Sequence, residues 1–373
     1  MMYILEVKGM EKIAVLGAGN GGHACSADLS LRGYTVNLYE LPRFKANIEP
    51  IAKQGGIEIH DEKGVRFAKL NKVTIEIKEA IEDVDLILIT VPAFAHKQFA
   101  EVCIPYLKDG QVVVYLGKGG GTLEFAKVMR EMNVKKDILL GEANTLPYTA
   151  RIIKPGSVRV FVKVKKLFTV ALPAKNNQEL FNSLKDLYSS VTLMSNVLET
   201  VLNDVNAVLH PAPSILNAGR IEYSKGEFYI YKEGMTPSVI NVIKAVDDER
   251  LAVVKALGFK QIPFEKLFPE IGFSAEGTLE EVVTHVYGAE GMKSPGSLQG
   301  RYITEDLPYG LVPIASIGDL THIPTPVIKS LIVLASILNR VDYWREGRTL
   351  EKLGVANLSL SELLNFITNG PIW

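Results

Sequence analysis

The sequence predicts an α/β fold: an N-terminal doubly wound parallel sheet followed by a mostly α-helical C-terminal domain. Three observations predict it. Short β-branched runs alternate with helix-length amphipathic stretches through the first part of the chain, and the first run opens directly into a glycine-rich turn. Near residue 195 this texture gives way to helical periodicity.

Residues 1–10 read as an N-terminal extension, its apolar run too short and too broken by Glu6 and Lys8 for a signal peptide. Strands are expected at 12–16, 35–39, 86–90, 111–115 and 138–140, with helices such as 94–106 and 122–132 between them. Residues 55–77 interrupt the rhythm: Gly56-Ile57-Glu58-Ile59, a polar turn at 61–64 and a second run at 65–67 read as an inserted hairpin. Two more strands are expected at 158–164 and 167–172. Asn196, with Glu199 three residues on, reads as a capping box that opens one helix. That helix carries Asn203, Asn206 and His210 at spacings of three and four, which predicts one polar face. Pro211 and Pro213 then break it by removing two backbone donors. The expected domains are therefore 11–195 and 196–373.

Bulk properties narrow the function. A chain of 373 residues holds two or three domains, and 47% apolar with 22% charged residues is ordinary globular composition. A net charge of −1 gives no field to attract nucleic acid or an anionic membrane. Cys25 and Cys103 stand far apart and read as reduced thiols, and no His/Cys spacing resembles a metal site. The most apolar helical segment, 327–338, contains Lys329 and falls short of the ~20 residues that span a bilayer. The expectation is a cytoplasmic protein with no metal, membrane or nucleic-acid partner.

The turn after the first strand reads Gly17-Ala18-Gly19-Asn20-Gly21-Gly22, which is G-x-G-x-x-G between a strand and a helix. In this pattern Gly17 permits the tight turn, Gly19 lets backbone approach a pyrophosphate, and Gly22 lets helix and strand pack closely. The pyrophosphate rests on the helix N-terminus beside Asn20. This predicts a Rossmann-type dinucleotide site. Glu40, at the end of the second strand, would bond the ribose hydroxyls and repel a 2′-phosphate, favouring NAD. Arg43 would neutralise that phosphate and leaves NADP open. Val91 and Pro92, at the carboxyl end of a later strand, should border the cofactor, and Lys118 with Gly119-Gly120-Gly121 occupies the next such loop.

Farther on, a loop-like run from Gly300-Arg301 through Asp306 to Pro313 carries charge beside proline and glycine. The glycine loop, Glu142-Ala143-Asn144-Thr145-Leu146-Pro147-Tyr148 with Arg151, His210-Pro211, and Arg301 through Val312 occur in one order along the chain. In these segments and their separations the chain resembles the octopine/nopaline (opine) dehydrogenase family. The resemblance implies NADH- or NADPH-dependent reductive condensation of an α-keto acid with the amine of an amino acid. It implies that His210 is the catalytic acid/base, Asp306 the carboxylate that orients it, and Arg301 the binder of a substrate carboxylate. Thr145 faces the keto acid in this reading, and Asn206 on the polar face joins the substrate-binding residues.

The alternatives are a related two-domain dehydrogenase, such as glycerol-3-phosphate dehydrogenase or ketopantoate reductase, and a non-catalytic NAD(H)-sensing protein. The related enzymes resemble one another in a lysine on the first helix of the second domain, and 196–210 contains none. An apolar face on the C-terminal helices reads equally as core or as a homodimer interface.

Overall fold

The computed structural model describes residues 11–289 and 291–371, so the predicted extension at 1–10 lies outside the described residues. The chain opens with β1 (Lys12–Leu16), the first helix (Asn20–Leu31) and β2 (Thr35–Tyr39). A hairpin of β3 (Gly56–Asp61) and β4 (Gly64–Lys69) precedes the short β5 (Lys72–Thr74). Then come β6 (Leu86–Ile89), β7 (Val112–Leu116) and β8 (Leu139–Ala143), with helices His96–Cys103 and Gly121–Glu131 between them. The remaining strands are β9 (Tyr148–Lys154), β10 (Ser157–Lys163), β11 (Leu167–Leu172) and β12 (Val191–Leu193).

The main sheet has the order β12-β11-β8-β7-β6-β1-β2-β5. From β5 to β8 every pairing is parallel, as predicted, and β11 joins β8 antiparallel. The central strands are buried along their whole length, the pattern of a parallel sheet covered on both faces. Strand order reverses between β1 and β6, so a crevice opens at their carboxyl ends.

The hairpin does not stand alone. β3 pairs parallel with β10, and β10 pairs antiparallel with β9, forming a second sheet of order β4-β3-β10-β9. Strand β9 has no counterpart in the sequence reading. Its run Tyr148-Thr149-Ala150-Arg151 alternates apolar and polar residues for four positions only, before Ile152-Ile153 breaks the pattern, and it pairs along its length with β10.

From Val197 onward every regular element among the described residues is a helix. The single helix expected from Asn196 through His210 is corrected: Val197–Leu202 ends at Asn203, and a new helix, Val205–Leu209, starts under an Asp204 cap. Asp204 Oδ1 accepts from the N–H groups of Asn206 (3.1 Å) and Ala207 (3.3 Å), which competes with continuing the ladder. The Leu202 carbonyl freed by the break accepts from Arg250 (3.1 Å), a buried residue of the long helix Pro237–Ala256 that also takes the Asn203 side-chain oxygen (3.2 Å). Asn203 therefore turns into the core, and only Asn206 and His210 remain one turn apart, joined through the backbone at 3.0 Å. The predicted capping box is half present. Asn196 accepts from Leu198 N–H, while Glu199 reaches Ser195 N–H instead of that of Asn196.

The two halves pack closely. A Cβ at Gly119 would lie 2.7 Å from the Val201 nitrogen, so only glycine lets the loop after β7 meet the helix Val197–Leu202. Arg348, fully buried, donates to the Gly119 carbonyl (2.8 Å) and to Glu124 (2.9 Å). Among the described residues no helix is long and apolar enough to cross a membrane.

Candidate active site

The first end of the site is the turn after β1. Gly17 has φ of 100°, a conformation that only glycine adopts without strain, and a Cβ there would strike Val91 at 2.4 Å. A Cβ on Gly22 would lie 1.7 Å from the Gly17 carbonyl oxygen. At Gly19, by contrast, a Cβ would meet nothing within 4 Å, so the backbone faces open space at the N-terminus of Asn20–Leu31. That space is a cavity of about 280 Å³ lined by Ala18, Gly19, His23, Glu40, Phe44, Asn47, Ile152 and Pro155. Glu40 accepts from the N–H groups of Ala18 (2.9 Å) and Leu41 (2.7 Å), which hold its carboxylate at the cavity wall. Burial raises the Glu40 carboxyl above its ordinary value, against the pull of those two N–H groups and Arg43. A helix N-terminus, open backbone and an acid at the end of β2 form a donor and acceptor set that fits a dinucleotide.

Other residues expected here have structural partners. Arg43 donates to Gln98 (2.6 Å) and lies over the Phe44 ring, at the cavity rim. Asn20 accepts from Ile152 N–H (2.8 Å), tying the helix to β9. Val91 fills the space that Gly17 leaves, and Pro92 leads into a turn where Ala93 N–H donates to Glu305 (2.9 Å). The turn after β6, which packs on Gly17, is thus tied to the 301–306 segment. His23, Ile152 and Pro155 were missed as cavity lining, the last two because they arrive through the second sheet. Buried His23 donates to the Gly19 carbonyl (3.0 Å) and accepts from Gly156 N–H (3.2 Å), and burial lowers its pKa, so the ring is neutral.

The second end lies where the halves meet. His210 Nδ1 donates to Asp306 Oδ2 (2.7 Å), bringing together two residues that the spacing of the chain does not connect. The other Asp306 oxygen accepts from Lys118 Nζ (2.8 Å), and Lys118 also pairs with Asp204 (2.6 Å). Burial alone would raise the Asp306 carboxyl, yet the Lys118 ammonium and the His210 N–H hold it well below the usual carboxylate range. Burial likewise opposes the charge on Lys118, and Asp204 with Asp306 keep it above its ordinary value. An ionised Asp306 only accepts, so the proton of the neutral imidazole sits on Nδ1 and Nε2 is the acceptor. Nε2 faces the Tyr231 hydroxyl at 3.1 Å, which meets that of Tyr302 at 2.8 Å. The Tyr302 ring stacks on the imidazole with centroids 3.9 Å apart. Burial raises both phenols above their ordinary values, so both keep their protons.

Of the expected substrate residues, Asn206 and Arg301 are joined through the backbone to His210 and Asp306, while Thr145 is buried at the end of β8. Arg301 donates through Nε to Glu305, its terminal nitrogens are free of partners among the described residues, and its side chain is 60% exposed. Asn206 is half-buried, and neither its amide nor the Thr145 hydroxyl bonds within the described residues. Next to Thr145, Asn144 donates to the Asn203 carbonyl at 3.4 Å, which sets the end of β8 against the helix break. Sequence reasoning assigned no role to Lys118, Asp204, Tyr231 or Tyr302. Asp204 alone carried a local signal, an N-cap acid directly before an apolar run.

Comparison with known proteins follows the same division of the chain. Residues 193–339 match the family model for the NAD/NADP octopine/nopaline dehydrogenase alpha-helical domain, and residues 12–144 match that for the NAD-dependent glycerol-3-phosphate dehydrogenase N-terminus. An opine dehydrogenase of Arthrobacter sp. (strain 1C) is 36% identical over 347 residues, spanning 93% of this chain and 96% of that protein. Vitopine synthase of Allorhizobium ampelinum is 24% identical over 357 residues, with 93% and 97% covered. The structure of octopine dehydrogenase with NADH and L-arginine shares the fold, with a TM-score of 0.75 at 19% identity over 96% of this chain and 98% of that one. Over nearly its whole length, and not only in the dinucleotide-binding half, the chain belongs to the opine dehydrogenase family, NAD(P)-dependent oxidoreductases that act on CH–NH bonds.

Proposed function

We propose that the enzyme condenses an α-keto acid with the amino group of an amino acid and reduces the product, with His210 as proton donor and Asp306 as the carboxylate that orients it. The observation that carries this reading is the His210–Asp306 contact of 2.7 Å at the junction of the two halves. Octopine dehydrogenase, which shares the fold, is known with NADH and pyruvate and with NADH and L-arginine. The two substrates lose water to form an imine. A nicotinamide cofactor held at the glycine turn would supply hydride, and with one proton the imine becomes a secondary amine dicarboxylate.

Residues of the chain do the remaining work. Gly17, Gly19 and Gly22 shape the turn that takes the pyrophosphate, with Asn20 at the helix start, Glu40 and Arg43 at the adenosine end and Val91 and Pro92 toward the reacting end. The Arg301 guanidinium has two free terminal nitrogens for a substrate carboxylate, a two-point hold that aims the reacting carbon. Asn206 and Thr145 offer unpaired polar groups to the second substrate. His210 Nε2 lies on the side away from Asp306, where Tyr231 stands, and in the imidazolium form of the ring it delivers its proton.

The division of labour falls at about residue 195, with 11–195 holding the dinucleotide and 196–373 the substrates. Glu40 makes NADH the preferred cofactor. The reading includes a cytoplasmic location, consistent with Cys25 and Cys103 as free buried thiols. It also includes a homodimer. The helix Pro326–Asn339 leaves Val333 and Ile337 58% and 68% exposed beside a groove of about 580 Å³ closed by Val341 and Trp344.

The test is a matrix of keto acids, pyruvate first, against amino acids, followed by NADH absorbance with single-substrate controls. NADH oxidation should require both partners, and mass spectrometry should find the condensed product. Full activity with one carbonyl substrate and no amine would overturn the assignment.

A further inference from the structure

We propose that Lys118 and Asp204 are positioning residues that set the proton affinity of His210, acting through Asp306 as a balanced pair of buried charges. The inference rests on the proton-donor role proposed for His210.

The geometry is a chain of contacts across the domain junction. Asp204 Oδ2 meets Lys118 Nζ at 2.6 Å, Lys118 Nζ meets Asp306 Oδ1 at 2.8 Å, and Asp306 Oδ2 meets His210 Nδ1 at 2.7 Å. The side chains of Lys118, Asp204 and Asp306 are 5%, 4% and 8% exposed, so water screens these charges little. No two of the three share an element. Lys118 comes from the loop after β7, Asp204 caps Val205–Leu209, and Asp306 follows Arg301–Thr304.

Counting charge shows what the pair does. With His210 neutral, one ammonium and two carboxylates leave the cluster one unit negative, and protonating the imidazole makes it neutral. Without Lys118 up to two negative charges would lie behind the ring, burial and Asp306 already raising the Asp204 carboxyl above its ordinary value, and without Asp204 none. The other groups facing His210 do not alter this count. Tyr231 and Tyr302 keep their protons, Arg301 is paired with Glu305, and the Arg151 charge reaches the two tyrosines from β9 unchanged in every variant. The pair also has a steric part. Lys118 holds the Asp306 oxygen that His210 does not use, which fixes the carboxylate plane and hence the imidazole tautomer.

Opposite charges within a few ångströms shift a neighbour's titration by about one pH unit or more. Removing the positive charge should favour the imidazolium, and removing a negative one should disfavour it. Lys118→Met should therefore move the alkaline limb of the kcat/KM profile up by about one unit, and Asp204→Asn should move it down by a similar amount. The double variant restores the count of one negative charge, so its limb should return close to that of the unaltered enzyme. Asparagine still caps a helix, which preserves the Val205–Leu209 start. The same shifts should appear in the NMR titration of the His210 ring in 13C-histidine-labelled protein without substrate, a readout that needs no turnover. If Lys118→Met alone does not fold, Asp204→Asn and the double variant decide the matter, since the double removes both members of the buried Lys118–Asp204 pair together.

Opposed shifts in the single variants with return in the double support the inference. Shifts of the same sign, no shift, or a double variant that fails to return overturn it. His210→Ala separates the two readings. An alkaline limb that survives this substitution refutes the proton-donor role itself, whereas a limb that belongs to His210 but ignores Lys118 and Asp204 refutes only the positioning pair.

Discussion

Lys118 and Asp204, from opposite halves of the chain, form an ion pair at 2.6 Å directly behind the Asp306 carboxylate that accepts from His210. The first helix of the second half carries no lysine, and the ammonium at this junction comes from the dinucleotide-binding half. Gly119, next to Lys118, lets that loop approach the backbone of Val201. The site is assembled by domain contact rather than on one helix, and the following predictions draw on that.

His210→Ala should lower kcat by ~10²-fold or more, the usual worth of a general acid. The dissociation constant for NADH should stay nearly unchanged, because the imidazole is held by Asp306 and Tyr231 rather than by the glycine turn. Asp306→Asn should act in the same direction. Steady-state kinetics with fluorescence titration of NADH checks both, and a His210→Ala enzyme that keeps most of its kcat would remove the residue from the mechanism.

Arg301→Lys should raise KM for one substrate although charge is conserved. The Nε bond to Glu305 fixes the guanidinium plane and leaves two parallel N–H donors, a fork that an ammonium lacks. Unaltered kinetics would mean that this partly exposed side chain is only a surface ion pair.

NADH should bind more tightly than NADPH. Glu40 is fixed at the cavity wall by Ala18 and Leu41 N–H groups, so a 2′-phosphate would approach a carboxylate that has little freedom to withdraw. Glu40→Gln should narrow the gap by roughly tenfold, about 1.4 kcal/mol. Equal binding of both cofactors by the unaltered protein would instead assign the choice to Arg43.

Ile337→Asp should convert a dimer to a monomer in sedimentation velocity. The residue is 68% exposed in the single chain, and a buried carboxylate at the centre of an apolar contact is costly unless paired. A sample that sediments as a monomer before any substitution would exclude the homodimer.

Much of the dinucleotide half was legible because its information is local. β1, the turn and the first helix lie within some twenty residues: Gly17 takes its left-handed φ inside the turn, Gly22 packs on the Gly17 carbonyl, and Glu40 accepts from Ala18 N–H. The predicted strands at 12–16, 35–39 and 167–172 coincide with β1, β2 and β11, whose apolar residues pack on both faces of the sheet. By contrast β9 was invisible. Its alternation lasts only from Tyr148 to Arg151 before two adjacent isoleucines end it, and its pairing with β10 completes the strand.

The sequence by itself determined the Rossmann-type half and the change to helices near residue 195. Tertiary structure decided that helix 196–210 breaks at Asp204, because Arg250 from a distant helix takes the carbonyl that the break sets free. It also decided that Asp306 lies between His210 and Lys118. Strand and helix periodicity arises from neighbours a few residues apart. An ion pair depends on a separation of a few ångströms between groups from different elements, and only the packing of the two halves sets that distance.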